Sequence, residues 1–250
     1  MDGDLDLNRV SWDERVPAHV ASPGYQVRRF AEDPGYLSHV VEFDRPRLGA
    51  SMTGLDFSAP AVAAARQLAQ TAGTDATFVQ ADVYAAADVL GRGEFGLVYT
   101  GIGALCWLPD IRRWAEVVAA LLAPGGRLFL REGHPMLWAL GDVRPDGLLV
   151  VEYPYFQRPE PTVFDEGGTY VATDAVFQHT VTQEWNHGLA EIITALMEAG
   201  LELTALTEHD SAPWAALPGM MEQTAGGEWR LADRPWRLPH SYTLQAVRRR

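Results

Sequence analysis

Apolar positions change their spacing near residue 51, and the change divides the chain into two parts. Residues 1–50 combine helical spacing with turn signals, so we expect an N-terminal helical lead-in there. From Ser51 onward, short apolar runs alternate with segments of helical periodicity, which predicts one α/β domain over 51–250. A segment at about 136–185, rich in aromatic residues and prolines, breaks this alternation and is predicted to be an insertion.

The order of the predicted elements favours an α/β class with a Rossmann-like, doubly wound and mostly parallel sheet. Ser58 and Asp110 stand where helix N-caps are expected, directly before two amphipathic segments. Two further strands close the sheet as an antiparallel pair, at 201–208 and 241–247. The strands before the insertion are predicted at 52–57, 76–83, 95–100 and 127–132.

Polar residues at the carboxyl ends of parallel strands are the candidate site residues, because such sheets bind ligands there. Asp56 ends the first predicted strand, where a carboxylate can accept hydrogen bonds from both hydroxyls of a ribose; a loop-capping role is the alternative. Asp82 ends the next strand and can accept from an adenine amino group, while Val83 donates from its backbone. Gly101 and Gly103 indicate a tight turn that lets the backbone approach a ligand.

Glu132 and His134 follow the strand predicted at 127–132, where an acid–base group would face a substrate. A structural histidine at the strand end is an equally good interpretation of His134. Tyr153, Phe156 and Trp185 are candidates for the walls of a substrate site, although core packing explains such aromatic residues equally well.

Composition excludes several functions. The chain has 20 basic and 33 acidic residues, a net charge of −13, which argues against nucleic acid and anionic membranes as partners. All of the basic residues are arginines, so the chain lacks the lysine that Schiff-base enzymes and P-loop NTPases need. Cys106 is the only cysteine, which excludes internal disulfides and cysteine-cluster zinc sites and favours a buried thiol.

Other motifs are missing from the sequence. The histidines show no metal-binding spacing and no serine lies in a G-x-S-x-G motif, so we expect neither a metal site nor a hydrolase triad. No apolar run has the length of a membrane span, and the acidic opening does not resemble a signal peptide. These features predict a cytoplasmic protein without a membrane partner.

Taken in order, four segments resemble motifs of the class I S-adenosylmethionine-dependent methyltransferases. Residues 52–58 resemble the second-strand motif, Asp82-Val83 the third, and 94–99 the fourth, where most members carry aspartate in place of Gly96. Residues 121–128 match the Leu-x-Pro-Gly-Gly turn before strand five, the most specific of the set. The resemblance covers residues 51–135 well and 189–247 more loosely.

The resemblance implies S-adenosylmethionine as the cofactor and methyl transfer to a small-molecule acceptor. It leaves the oligomeric state open, and a homodimer is compatible with it. In this interpretation Glu132 and His134 would remove a proton from the acceptor or orient it. Residues that would bind the ribose, the adenine and the methionine end of the cofactor are Asp56, Phe57, Asp82, Val83, Thr100, Gly101 and Gly103.

One family motif has no counterpart in the chain. The glycine-rich loop after the family's first strand is absent upstream of Asp56, and the residues around Arg47-Leu48-Gly49 resemble both ends of the missing segment. We therefore hypothesise that a strand–loop–helix unit of roughly 25–30 residues has been lost, with residues 39–44 as a replacement strand. If that loss is real, the alternative is a methyltransferase fold with impaired or lost cofactor binding that acts as a binding or oligomerisation module or has no function. A nicotinamide oxidoreductase is a separate alternative, which would use Asp56 but need a glycine loop of its own.

Overall fold

The structure of the chain is a computed structural model that describes residues 2–33, 36–38, 41–42 and 52–249. The chain forms two compact units. Unit 1 comprises Met1–Val89 and Val163–Gln183, and unit 2 comprises Leu90–Thr162 and Glu184–Arg250. No helix in the described part of the chain is long and apolar enough to cross a membrane.

Unit 1 is built on a two-stranded parallel sheet. Strands β1 (Met52–Asp56) and β2 (Ala76–Gln80) pair in register from Met52 opposite Ala76 to Asp56 opposite Gln80. The connecting helix α3 (Ala59–Ala72) begins at Ser58, whose hydroxyl accepts from the N–H of Ala61, and ends at Gly73 with φ +65°. The other elements are α1 (Asp2–Ala21), α2 (Val27–Glu32), a 3₁₀ turn at Val83–Ala85, α4 (Ala86–Leu90), and paired strands β5 (Thr162–Asp165) and β6 (Val181–Glu184).

Unit 2 contains a four-stranded sheet with the order β3-β4-β10-β7. Strand β10 is antiparallel to both of its neighbours, whereas β3 and β4 are parallel. This arrangement confirms the predicted α/β class and the antiparallel closing pair. The four strands are β3 (Phe95–Thr100), β4 (Leu122–Gly133), β7 (Leu201–His209) and β10 (Ser241–Arg248).

Unit 2 also contains helices and short strands outside this sheet. Asp110 caps α5 (Ile111–Leu121) as predicted, since its carboxylate accepts from the N–H of Arg113 at 3.0 Å. The apolar face of α5 is buried, and Trp114 on this face is only 1% exposed. The sheet residues Leu128 and Leu130 are also buried. The remaining elements are a 3₁₀ turn at Leu105–Trp107, α6 (Pro135–Trp138), α7 (Leu189–Glu198), the antiparallel pair β8 (Met221–Gln223) and β9 (Trp229–Leu231), and a 3₁₀ turn at Pro235–Arg237.

Two local predictions need correction. The strand predicted at 127–132 begins earlier, at Leu122, and the glycine turn is a bulge where the β3–β4 register shifts, with Gly125 at φ +80°. The replacement strand at 39–44 is wrong at Val41 and Glu42, which are helical because the N–H of Glu42 donates to the carbonyl of Ser38 at 2.8 Å. The rest of that segment, and the region of the hypothesised loss at 43–51, lie outside the described residues.

Candidate functional site

Asp56 and Asp82 lie beside one another in unit 1, at the carboxyl ends of its two parallel strands. Backbone hydrogen bonds join these ends, since the N–H of Ala81 donates to the carbonyl of Asp56 at 3.0 Å. The side chain of Gln80 likewise donates to the carbonyl of Phe57 at 3.3 Å. Four predicted site residues, Asp56, Phe57, Asp82 and Val83, are therefore brought together by the sheet.

Each of these carboxylates uses one oxygen to cap the local backbone. Oδ1 of Asp56 accepts from the N–H of Ser58 at 2.7 Å, and Oδ1 of Asp82 accepts from the N–H of Tyr84 at 2.7 Å. The loop-capping alternative for Asp56 is thus present in the structure. Within the described part of the chain, Oδ2 of each carboxylate has no hydrogen-bond partner and remains able to accept from a ligand.

The electrostatic surroundings of Asp56 favour a ligand that donates hydrogen bonds. Burial raises the pKa of its carboxyl group, and the nearby Asp13 raises that pKa further, while the N–H of Ser58 lowers it. Hydroxyl donors would stabilise the ionised carboxylate and relieve this unfavourable environment.

In unit 2, the loop that follows β3 carries the other predicted cofactor residues. Thr100 ends β3 opposite Leu130, and Gly101 and Gly103 follow in a tight turn. Gly103 has φ +81°, a conformation that residues with a side chain rarely adopt. A Cβ atom built at Gly103 would meet nothing within 4 Å, so the space beside this turn is open.

The carboxylate of Glu132 holds this loop in place. Its side chain is buried, with 3% of the residue exposed, and it accepts four backbone hydrogen bonds. Oε1 accepts from Gly103 at 2.5 Å and from Gly133 at 2.7 Å, while Oε2 accepts from Ala104 and Leu105 at 2.9 Å each. Burial raises the pKa of Glu132, and the four amides counteract that rise. The contacts support a positioning role, and the predicted acid–base role stays a prediction.

Both ring nitrogens of His134 have hydrogen-bond partners. Nδ1 accepts from the N–H of Met136 at 3.0 Å and so caps α6, which places the proton of the neutral ring on Nε2. Nε2 lies 2.9 Å from a carboxylate oxygen of Glu208. Burial lowers the pKa of His134, an effect that Glu208 opposes. The structural interpretation of this histidine accounts for all of these contacts.

A small cavity in unit 2 brings in two residues that the sequence did not single out. It has a volume of about 10 Å³ and is lined by Glu132, Trp138 and Trp185, and also by His187 and Tyr242. We call it the Tyr242 cavity. Of the aromatic residues predicted as walls, only Trp185 lines it. Tyr153 does not, and neither does Phe156, which is 78% exposed. No spacing rule links residue 187 to residue 242, so only the fold could reveal this pair.

A larger cleft lies at the other end of the β3–β4 pair. Its volume is about 410 Å³, and its lining includes Gly93, which precedes β3, and Arg248 at the end of β10. Ligands of parallel sheets bind beyond the carboxyl ends of the strands, and this cleft lies at the amino end of β3. It therefore adds nothing to the candidate site.

Comparison with known proteins finds a family match over part of the chain. A family description that reads "Methyltransferase domain" matches residues 34–128, which include Asp56, Asp82 and the loop after β3. Over these residues the chain matches a methyltransferase domain. The matched residues include most of the strand ends and motifs on which the sequence-based resemblance rests, and the match supports S-adenosylmethionine as the cofactor. No curated protein matches the sequence.

Solved structures share the fold of the methyltransferase domain. An S-adenosylmethionine-dependent methyltransferase from Mesorhizobium loti is 19% identical with a TM-score of 0.53, and the alignment covers 83% of this chain and 84% of that one. A structure from Listeria monocytogenes described as the same kind of enzyme is 12% identical, also with a TM-score of 0.53, and covers 85% of this chain and 99% of its own. At such identities the likeness establishes the fold alone.

The residues present fit one half of S-adenosylmethionine directly. In unit 1, the unpartnered carboxylate oxygens of Asp56 and Asp82 suit the donors of a ribose and an adenine. The glycine-rich loop predicted to be missing concerns residues outside the described part of the chain. Within that part, no group of three or more His, Cys, Asp or Glu side chains is arranged to hold a metal ion.

Proposed function

We propose that this chain transfers the methyl group of S-adenosylmethionine to a small-molecule acceptor. The observation that carries the proposal is the pair of carboxylates at adjacent strand ends of unit 1, each with one oxygen left for a ligand. A carboxylate in the position of Asp56 can bind both hydroxyls of a ribose, and Asp82 with the backbone of Val83 can bind the edge of an adenine.

The acceptor side of the proposal rests on charge and on unit 2. A net charge of −13 disfavours a nucleic-acid acceptor, because phosphates would be repelled. The Tyr242 cavity, with its aromatic walls, offers space for one small group rather than for a polymer. A small organic molecule is the acceptor class that fits both observations.

S-adenosylmethionine, when bound, supplies a methyl group on a positively charged sulfur. Asp56 would hold the ribose through its ionised carboxylate, and Asp82 with Val83 would fix the adenine. Glu132 would keep the loop at Thr100, Gly101 and Gly103 in the shape that the methionine end requires, since four amides depend on its carboxylate. Alignment of the two reactants in a site with little water is the main contribution that these residues make to the rate.

Calorimetric titration with S-adenosylhomocysteine tests the proposal. The wild-type chain is expected to bind with a Kd on the order of micromolar, and Asp56→Asn is expected to weaken binding by about 10-fold or more, because hydrogen bonds to a charged group are worth about 1.5–3 kcal/mol. Asp82→Asn should also weaken binding. Asp75→Asn is the matched control, since Asp75 is an exposed aspartate just before β2.

Two results would contradict the proposal. A folded wild-type chain that releases no heat would favour the alternative of a methyltransferase fold without cofactor binding, as the hypothesised loss of the glycine loop implies. Equal weakening by Asp75→Asn and Asp56→Asn would show that general charge, and not the strand-end carboxylate, governs the binding.

A further inference from the structure

Two residues that line the Tyr242 cavity each carry a buried polar atom without a hydrogen-bond partner. The hydroxyl of Tyr242 and Nδ1 of His187 form no hydrogen bond in the described part of the chain, although the two residues are 0% and 3% exposed. Buried polar groups are almost always paired, so two exceptions around one cavity call for a ligand there. At about 10 Å³, the cavity has room for a single group the size of a water molecule or a hydroxyl.

The hydrogen bond on the far side of its ring fixes the chemical role of His187. Nε2 lies 2.8 Å from the carbonyl oxygen of Leu108, and a carbonyl can only accept, so Nε2 carries the proton. In the neutral ring Nδ1 is therefore an acceptor. A carboxylate oxygen of Glu191 lies 3.7 Å from Nδ1 and would stabilise the ring after it took up a proton.

The other titratable groups beside the cavity are unsuited to taking a proton. Glu132 already accepts four backbone hydrogen bonds, and both ring nitrogens of His134 are engaged. Burial raises the pKa of the Cys106 thiol well above its usual range, and the charges of Glu184 and Glu132 raise it further. Among the lining side chains that can take up a proton, this leaves Nδ1 of His187.

The cavity also lies beside the loop that the proposed function assigns to the methionine end. Leu105 and Cys106, which line the cavity, lie two and three residues after Gly103. The same carboxylate of Glu132 lines the cavity and binds the amide of Gly103. A group seated in the cavity would thus be close to the reacting end of the cofactor.

We propose that the Tyr242 cavity receives the reacting hydroxyl of a small, neutral aromatic methyl acceptor, with Tyr242 donating a hydrogen bond to its oxygen and His187 accepting its proton. This inference rests on the proposed function. A hydroxyl both donates and accepts, which matches the two unpartnered atoms, whereas an ammonium cannot accept. The carboxylate of Glu132 repels an anionic acceptor, and the rings of Trp138 and Trp185 favour an aromatic one.

The proposed reaction transfers a methyl group to the oxygen of the acceptor. The O–H bond of the acceptor breaks and its proton passes to Nδ1 of His187, while the oxygen forms a bond to the methyl carbon of S-adenosylmethionine. The bond between that carbon and sulfur breaks, and its electron pair stays on sulfur. The products are a methyl ether and S-adenosylhomocysteine, and the proton on His187 then returns to solvent.

Phenol and toluene form a matched pair of probes, because they differ only in a hydroxyl against a methyl group. Their binding to the full chain without cofactor can be followed through the indole N–H resonances of Trp185 and Trp138. We expect phenol to bind at least about 10-fold more tightly than toluene, and Tyr242→Phe and His187→Gln each to remove most of this preference. Glutamine at 187 keeps a donor for the carbonyl of Leu108 but removes Nδ1.

Several outcomes would overturn the inference. These are equal binding of the two probes, a preference for phenol that survives both substitutions, and no binding of either probe with a water molecule alone in the cavity. Titration with S-adenosylhomocysteine separates this failure from that of the proposed function. Both variants should bind S-adenosylhomocysteine as the wild type does. If the wild-type chain binds S-adenosylhomocysteine but shows no preference for phenol, the role of the Tyr242 cavity is wrong and the proposed methyl transfer still stands. Tyr242→Phe should also retain full stability, since it removes a hydroxyl without a partner.

Discussion

Four backbone N–H groups donate hydrogen bonds to the carboxylate of Glu132, and three of them come from consecutive residues of one loop. A loop of glycine and alanine has no side chains with which to satisfy its own amides. A single carboxylate therefore accepts the hydrogen bonds that several side chains would otherwise accept. The site is buried, so each amide left without an acceptor would lower the free energy of unfolding by about 1–3 kcal/mol. The shape of the turn at Gly103 depends on the charge of one residue in a neighbouring strand.

Replacement of Glu132 by glutamine should destabilise this turn. The amide nitrogen of Glu132→Gln is itself a donor and would face backbone donors, so we expect the free energy of unfolding to fall by about 2 kcal/mol. Urea unfolding measures this change, and hydrogen exchange at Gly103 and Leu105 should accelerate beyond the rest of the chain. Glu116→Gln, on the exposed face of α5, is the matched control. Equal exchange rates in Glu132→Gln and the wild type would show that the carboxylate does not hold the loop.

The sequence could predict those site residues whose position follows from strand order. Asp56 ends β1 and Asp82 follows the end of β2 by two residues, so their nearness is a consequence of the fold class. The engagement of Glu132 and His134 by backbone groups depends on how the loop and α6 turn, which residue types alone do not specify. His187 and Tyr242 meet only through long-range packing, so no local pattern could have paired them.

At the scale of elements, a buried arginine helps to join α1 to the segment 163–183 of unit 1. Arg15 is only 7% exposed and donates to the carbonyls of Ser11, Glu166, Gly168 and His179. No carboxylate neutralises it in these bonds, and its guanidinium also lies 4.7 Å from the ring centre of Phe177. The composition of the insertion predicted an aromatic, irregular segment, but not its attachment to α1, because that attachment uses backbone carbonyls.

His19 makes this attachment sensitive to pH. Its ring bonds Thr169 at 2.6 Å and Tyr25 at 3.2 Å, and burial, followed by the charge of Arg15, lowers its pKa from 6.5 to about 4. Between these two values the unfolded chain binds more protons at this residue than the folded chain does. Stability is therefore lost as the pH falls from about 6.5 to about 4, and is fully present above that window.

Replacement of His19 by glutamine should flatten this dependence. Urea unfolding midpoints measured from pH 7.5 to pH 4 are expected to fall less steeply in His19→Gln than in the wild type, since the titrating ring is gone. His179→Gln, which removes an imidazole that is 59% exposed, should keep the wild-type slope. If His19→Gln retained that slope as well, carboxyl groups rather than His19 would cause the loss of stability in acid.

At the scale of the whole molecule, the outer strands of its sheets have one edge without a neighbouring strand in the described part of the chain. β1 pairs only with β2 in the described part of the chain, and β3 is one of the two outer strands of the four-stranded sheet. The resemblance to the methyltransferase family implies that the first strand of the family is central, with a neighbour on each side. An unpaired edge exposes backbone donors and acceptors that a second chain can use, which is one route to the homodimer that the sequence left open.

A charge placed on the edge of β1 should reduce this self-association. Met52 is the first residue of β1 and is 59% exposed, so Met52→Lys adds a cation at the edge without disturbing a buried side chain. Val89→Lys is the matched control, because Val89 is 51% exposed but lies on α4, away from any sheet edge. Sedimentation at a series of concentrations should show weaker association for Met52→Lys alone. If both variants associate equally weakly, the reduced net negative charge rather than edge pairing controls the contact; if neither differs from the wild type, β1 is not the surface through which the chains meet.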